Sequence, residues 1–350
     1  MGICPEGLMA MRTANLAPFI LATVGLSGNG FSAEPERFEF ESTHMGTKFR
    51  IVAYGNKEKV ERAQKAAFAR VAELDQIFSD YKPDSEVTKF CKANDKEPNV
   101  FRSVGREMIV VLNHANQLSK SSEGAFDVTV GPLVQLWRIA RRTQQLPDAK
   151  ELADAKAKVG YDKVTIDESR LMVKLAVPGM RLDFGGIVKG YAADEALAVL
   201  VMHGITQALV AASGDIRVGD APPGKKGWNV EIASLEKGQP ARTVVLANAA
   251  VSTSGDLFQF VEIKGVRYSH VLDPRTGLGL KGFRSVTAIA HSGIQADSLT
   301  KACSILSPEK AIKLIDGIEG AATFIATKER EDSPIQQSRS KRMHEYLPEK

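Results

Sequence analysis

The chain has 350 residues, room for about two domains at roughly 150 residues each or for one large domain with insertions. Its 43% hydrophobic and 25% charged residues, with 15 prolines and 29 glycines, match a soluble globular protein and exclude a disordered, collagenous or multispanning membrane chain. The net charge of +4, from 46 basic against 42 acidic residues, is small and spread along the chain, which argues against a nucleic-acid binder.

The N-terminus reads as an export signal. Arg12 precedes an apolar run over 16–26, and small and polar residues follow as far as Ser32-Ala33. About a dozen apolar residues fall short of the roughly 20 that span a bilayer, so residues 1–33 are assigned as a cleaved signal peptide and 34–350 as the mature domain. Of the cysteines, Cys4, Cys91 and Cys303, none follows the run as a lipid attachment point and none forms a Cys-x-x-Cys pair. The expected location is therefore periplasmic or otherwise extracytoplasmic, with no stable membrane anchor, no disulfide scaffold and no structural zinc.

Partial alternation over 38–54 suggests a strand feeding a helix over 57–78, with Ala63, Ala67, Val71, Leu74 and Phe78 on one face. Residues 81–85 form a turn, 104–119 repeat the helical spacing, and 124–137 fit neither period. A polar helix is expected over 146–159 and a hairpin over 163–177. Arg181-Leu182-Asp183 reads as a strand end, Gly185-Gly186 as a turn and 187–202 as a helix whose apolar face is interrupted by Asp194-Glu195. Strands are expected over 207–210, 228–232, 243–246, 251–253, 265–272, 284–290 and 322–326, with a helix pair over 296–306 and 308–316. The charged tail after Thr327 is expected to wrap the surface or fray.

Three constellations could carry chemistry. Glycines at the strand-to-helix junction Asp183-Phe184-Gly185-Gly186 let backbone amides reach an anion, and Lys189 adds a cation in the first turn. An aspartate there repels an anion unless a cation or another donor offsets it; a tight turn with a capping Asp183 reads equally well. The segment from Tyr268 to Gly277 gathers His270, Asp273 and Arg275, suited to proton transfer and phosphate contact, or to a polar structural turn. Asp297 and Lys301, four apart, share one helix face, the bland alternative being a surface ion pair. Ser298-x-x-Lys301 has the spacing of serine acyl-enzymes, but Ser79-Asp80 and Arg275-Thr276-Gly277 precede it, against the order of that mechanism. Neither a Rossmann nor a P-loop glycine pattern is present.

In order, these segments resemble the ApbE family of FAD:protein FMN transferases. The resemblance rests on Met45-Gly46-Thr47, Phe78-Ser79-Asp80-Tyr81 with Ser85, Gly124 to Leu133 with Trp137, Asp183 to Asp194, Ser213-Gly214-Asp215, Ser252 to Asp256, Ser269 to Gly277 and Ala296-Asp297. It implies an α+β, two-lobed, T-fold-like architecture with mixed and antiparallel sheets, flanking helices and an FAD cleft between the lobes. It further implies transfer of FMN from FAD to a threonine or serine of an acceptor flavoprotein, with magnesium and release of AMP. Met45, Tyr81, Ala125, Phe126, Asp127, Asp183, Lys189, His270 and Val271 match FAD-lining positions, and Gly186 and Asp297 match magnesium ligands. His270 is the candidate for proton transfer or phosphate contact and Arg275, also expected at the cofactor site, for orienting its turn, while Asp297 acts through the metal. Lys301 stands where the family has a metal-binding threonine, and a charged lysine cannot ligate a hard cation, so Lys301 is expected to weaken or replace magnesium. Ser213, where the family often has glycine, is a milder departure. An exported FAD-binding protein without transfer activity and an FAD pyrophosphatase yielding FMN and AMP remain the alternatives.

Overall fold

The computed structural model describes residues 35–232, 235, 241–255 and 260–348; the expected signal peptide lies outside them, as does Asp256. From Pro35 onward the chain gathers into one compact unit. In chain order the elements are β1 (Glu36–His44), β2 (Thr47–Gly55), α1 (Lys57–Phe78), α2 (Glu86–Lys96), β3 (Arg102–Ser103), α3 (Arg106–Ser121), α4 (Gly131–Thr143), α5 (Ala149–Lys156), β4 (Val164–Asp167) and β5 (Met172–Leu175). There follow α6 (Val188–Met202), β6 (Ala208–Ala212), β7 (Asp215–Val218), β8 (Trp228–Ile232), β9 (Arg242–Leu246), β10 (Ala250–Gly255), β11 (Phe260–Ile263), β12 (Val266–Asp273), β13 (Leu278–Lys281) and β14 (Phe283–Ala290). The chain closes with α7 (Gly293–Ile305), α8 (Pro308–Asp316), β15 (Ala322–Lys328) and β16 (Gln336–Arg339).

An eight-stranded sheet in the order β1-β2-β6-β7-β10-β14-β15-β16 forms the backbone of this α+β fold, and its named pairings are all antiparallel. Successive side chains on a strand face opposite ways, and both faces are buried. Ile51, Ala53, Ala208, Val210, Ala212, Ala250, Ala288 and Ala290 face the main core under the helices. Their neighbours Val52, Leu209, Ala211, Val251 and Ile289 face a second core closed by the β8–β9 hairpin. A third, smaller core joins Leu133, Trp137 and Ala140 of α4 to Val261, Ile263, Tyr268 and Leu272 of the β11-β12-β13 sheet.

The run of alanines on the helix-facing side of the sheet lets α6 and α7 come close, and most of each helix is buried. Where they cross, the two backbones touch. A Cβ on Gly190 would stand 2.0 Å from the Gly293 carbonyl oxygen, and one on Gly293 would stand 2.3 Å from that of Gly190. No side chain fits at either position.

Three of the expected elements take another form. The expected single strand over 38–54 is the β1–β2 hairpin, turned at Met45 and Gly46 with φ of 50° and 68°. Two central residues with positive φ match the tight turn that suits the twist of paired strands, but methionine does not announce it. Arg181–Asp183 forms no strand; Arg181 makes an isolated parallel bridge to Val130. The charged tail does not fray: β16 pairs antiparallel with β15, and a 3-10 turn over Lys341–Tyr346 buries Met343 in the second core.

Gly190→Ala is expected to lower the unfolding free energy by about 3 kcal/mol, the upper range for forcing atoms into a packed interior, and a shifted urea midpoint with unchanged m-value will register it.

Candidate active site

A cavity of about 420 Å³ opens where the main core meets α4 and β12. Its floor carries two ammonium groups. Lys189, in the first turn of α6, donates to Asp215 Oδ2 at the start of β7, and Asp215 Oδ1 accepts from Ser252 Oγ at 2.5 Å. Burial works against the charge on Lys189, but Asp297 and Asp215 outweigh it and hold the pKa above the ordinary lysine value. Lys301 reaches Asp297 Oδ1 at 2.5 Å, one helical turn away, and Thr300 Oγ1 at 3.1 Å. Asp297 is fully buried, and its Oδ2 accepts the Gly190 amide at 3.1 Å. Burial alone would raise its pKa; Lys189 and Lys301 override that and hold it below the ordinary aspartate value.

The walls come from the segment 125–128, from α4 and from β12. Asp127 Oδ1 accepts from both the backbone amide and the hydroxyl of Thr129 at 2.7 Å, which fixes its rotamer, while burial keeps its pKa raised. Asp183 Oδ1 accepts the Gly185 amide at 2.8 Å, so the aspartate folds over the turn that leads into α6. Its pKa is raised by burial and by the charge of Asp80, against the pull of Arg138. At the mouth Tyr81 is 77% exposed. Arg138 lies 4.2 Å over the Tyr81 ring and pairs with Asp80 at 2.7 Å and Asp183 at 3.6 Å. One guanidinium therefore holds an aromatic ring and two carboxylates together.

The structure brings Tyr81, Ala125, Phe126, Asp127, Asp183, Gly186, Lys189, His270, Val271 and Lys301 to this one cavity. Asp297 lies just beneath, reaching it through Lys301. Met45 does not line it; it turns the first hairpin, half-buried against the main core. Arg275 does not line it either. Its guanidinium grips Asp273 through two bonds of 2.9 Å and its own amide adds a third, so it shapes the β12–β13 turn. Ser213, the departure from glycine, sits at the cavity edge with a φ of 59°, the left-handed conformation that favours glycine.

Sequence reading missed Asp80, Arg138 and Arg141, all cavity-lining. A signal was there: Val134, Trp137, Arg138 and Arg141 follow the three-and-four spacing of one helix face, hidden because the preceding loop masks where the helix begins. Among the described residues no group of three or more His, Cys, Asp or Glu side chains is arranged to hold a metal ion, and no helix is long and apolar enough to cross a membrane.

A family model described as the ApbE family matches residues 45–325. The chain belongs to the ApbE family. An Escherichia coli K12 protein named FAD:protein FMN transferase is 31% identical over 302 residues, covering 83% of this chain and 84% of its own. A Klebsiella pneumoniae protein of the same name is 30% identical over 295 residues, covering 82% and 83%. Among solved structures, the flavinyl transferase ApbE of Pseudomonas stutzeri superposes with a TM-score of 0.79 at 28% identity, over 90% of this chain and 98% of the other. The ApbE protein of Thermotoga maritima gives 0.78 at 28% identity over 90% and 100%.

In this ApbE chain the raised pKa of Asp183 fixes the sign of a stability test. A carboxyl whose folded pKa lies above its unfolded value is penalised once ionised, so its contribution is most favourable below about pH 3.9 and is lost as pH rises through the folded value. Asp183→Asn keeps an oxygen for the Gly185 amide and removes the charge. The variant is expected to melt higher than the parent near neutral pH, with the gain closing towards about pH 4, as thermal denaturation across that range will reveal.

Proposed function

We propose that this chain transfers FMN from FAD to a threonine or serine hydroxyl of an acceptor flavoprotein, with release of AMP. The observation that carries the reading is the cavity floor, where Lys189 and Lys301 stand beside the N-terminal end of α6 at the Gly185-Gly186 turn. Backbone amides at a helix N-terminus and fixed ammonium groups together make a site for a pyrophosphate. The acceptor oxygen would form a bond to the FMN phosphorus while the bond from that phosphorus to the bridging oxygen breaks. The bridging oxygen leaves with AMP, and the hydroxyl proton passes to a base, for which His270 on the cavity wall is the candidate. Such a step asks the protein mainly for positioning and for neutralising charge.

The resemblance would bring magnesium to the Gly186 carbonyl and Asp297. The donors do not fit a divalent ion as they stand: Asp297 Oδ1 is taken by an ammonium and Oδ2 by an amide, and Lys189 adds a further positive charge nearby. Residues 1–33 would direct export, so that transfer takes place outside the cytoplasm.

The full chain, incubated with FAD and an acceptor flavoprotein domain, is expected to add one FMN-sized mass to the acceptor and to release AMP, as intact mass and nucleotide chromatography will record. FAD that binds but stays intact would instead mark a carrier, and free FMN with AMP a hydrolase. Lys189→Met is expected to lower kcat/KM for FAD by about 10²-fold, the usual cost of deleting one preorganised charged donor.

A further inference from the structure

We infer that the Lys301 ammonium is a resident cation standing where a divalent metal would otherwise sit, so that this chain holds the FAD pyrophosphate without magnesium. The inference rests on the flavin-transferase reading and names what grips the substrate at that site.

Four observations converge on it. Asp297 is fully buried, and its carboxylate is held by two nitrogens of this chain, Lys301 Nζ at 2.5 Å and the Gly190 amide at 3.1 Å. Magnesium demands oxygen ligands at about 2.0–2.1 Å in a near-octahedral shell, so it would have to displace the ammonium from Oδ1. Second, the lysine has a path built for it. Its stem runs over Gly186, where even a Cβ would stand 3.0 Å from Lys301 Cγ. The lysine thus covers the turn whose carbonyl would be the second metal ligand.

Third, the ammonium is aimed at the cavity rather than lost in the interior. Lys301 lines it beside Gly186 and Lys189, and its side chain keeps 18% exposure while Asp297 keeps none. An ammonium has three donors; Asp297 and Thr300 take two, which leaves one for a phosphate oxygen. Fourth, the floor is already balanced. Lys189 and Lys301 face Asp215 and Asp297, and a divalent ion would add two positive charges to a site that has two ammonium groups against two carboxylates. A tethered cation also needs no loading and no reorganisation when the substrate arrives.

The test reads FAD binding by quenching of flavin fluorescence, with magnesium or with EDTA, and needs no acceptor. In the unaltered chain the two dissociation constants are expected to agree within about twofold, and Lys301→Thr is expected to lose about tenfold or more in EDTA and regain it with magnesium. Lys301→Arg, which keeps the cation, is expected to stay indifferent to magnesium. In the presence of FAD, manganese used as a paramagnetic probe is expected to bind Lys301→Thr and not the parent. Circular dichroism melts of each variant separate a folding defect from a binding one, and the parent and Lys301→Arg measurements decide the matter even where Lys301→Thr does not fold. A parent affinity that rises tenfold or more with magnesium, and loses that rise in Asp297→Asn, overturns the inference and leaves the transferase reading standing. A folded parent that binds no FAD under either condition overturns both.

Discussion

The contact between Gly190 and Gly293 is the constraint on which the site depends, because it allows α6 and α7 to cross with no side chain between them. At that distance each helix can serve the other's unsatisfied amides. Asp194 of α6 accepts from Gly293 and Ile294, the first two residues of α7, at 2.7 and 2.9 Å, and Asp297 of α7 accepts from Gly190, in the first turn of α6. Neither helix has a side-chain N-cap of its own, so each borrows a carboxylate from its neighbour. The exchange is unequal. Asp194 spends the α7 amides, whereas the turn before α6 still faces the cavity through Gly185 and Gly186, leaving one positive helix end available to a ligand.

The same crossing explains why the floor holds so much buried charge. Removing an ammonium and a carboxylate from water costs more than a surface pair would, and a well-packed apolar pair would stabilise the fold at least as well. Lys189–Asp215 and Lys301–Asp297 nonetheless sit there, with Ser252 satisfying the remaining oxygen of Asp215. Asp127 and Asp183 add two carboxyls whose pKa values burial has raised. Groups that a fold disfavours yet gathers in one cavity are a mark of a working site; here they are fixed in position by Thr129, Gly185 and Arg138.

Much of this arrangement could be read before the structure, and the parts that could not have physical reasons. Helix α1 shows the bounds its spacing suggested, and its buried stripe of Ala63, Ala67, Val71, Leu74 and Phe78 is the expected one. Asp194-Glu195 looked like an interruption of an apolar face. The structure turns the pair into contacts that no local pattern encodes: Asp194 caps α7, and Glu195 meets Arg70 of α1 at 2.7 Å, which also meets Glu107 of α3 at 2.8 Å. The hairpin at Met45 stayed hidden because its backbone conformation, not its residue type, makes the turn. The charge of the tail suggests wrapping or fraying; its strand pairing stays hidden because pairing uses the backbone, and Met343 is the buried side chain of its last turn. Asp256, at the end of one motif, lies outside the described residues.

The mouth of the cavity adds a last step. At about 420 Å³ the cavity is near the small end of the roughly 300–1,000 Å³ that ligand sites enclose. On the proposed reading, a dinucleotide whose pyrophosphate meets the α6 turn cannot be wholly enclosed, and one end must rest at the rim. Tyr81 stands there with most of its ring in water, an arrangement that gains from a planar ring stacked on it. Arg138 keeps that ring in place from the other side while tying it to Asp183 on the cavity wall. An open rim is also what a protein acceptor requires, because its hydroxyl must reach the phosphorus while the donor is still bound. The cost of leaving an aromatic ring exposed and two carboxylates close together is then the cost of a site that admits two large substrates at once.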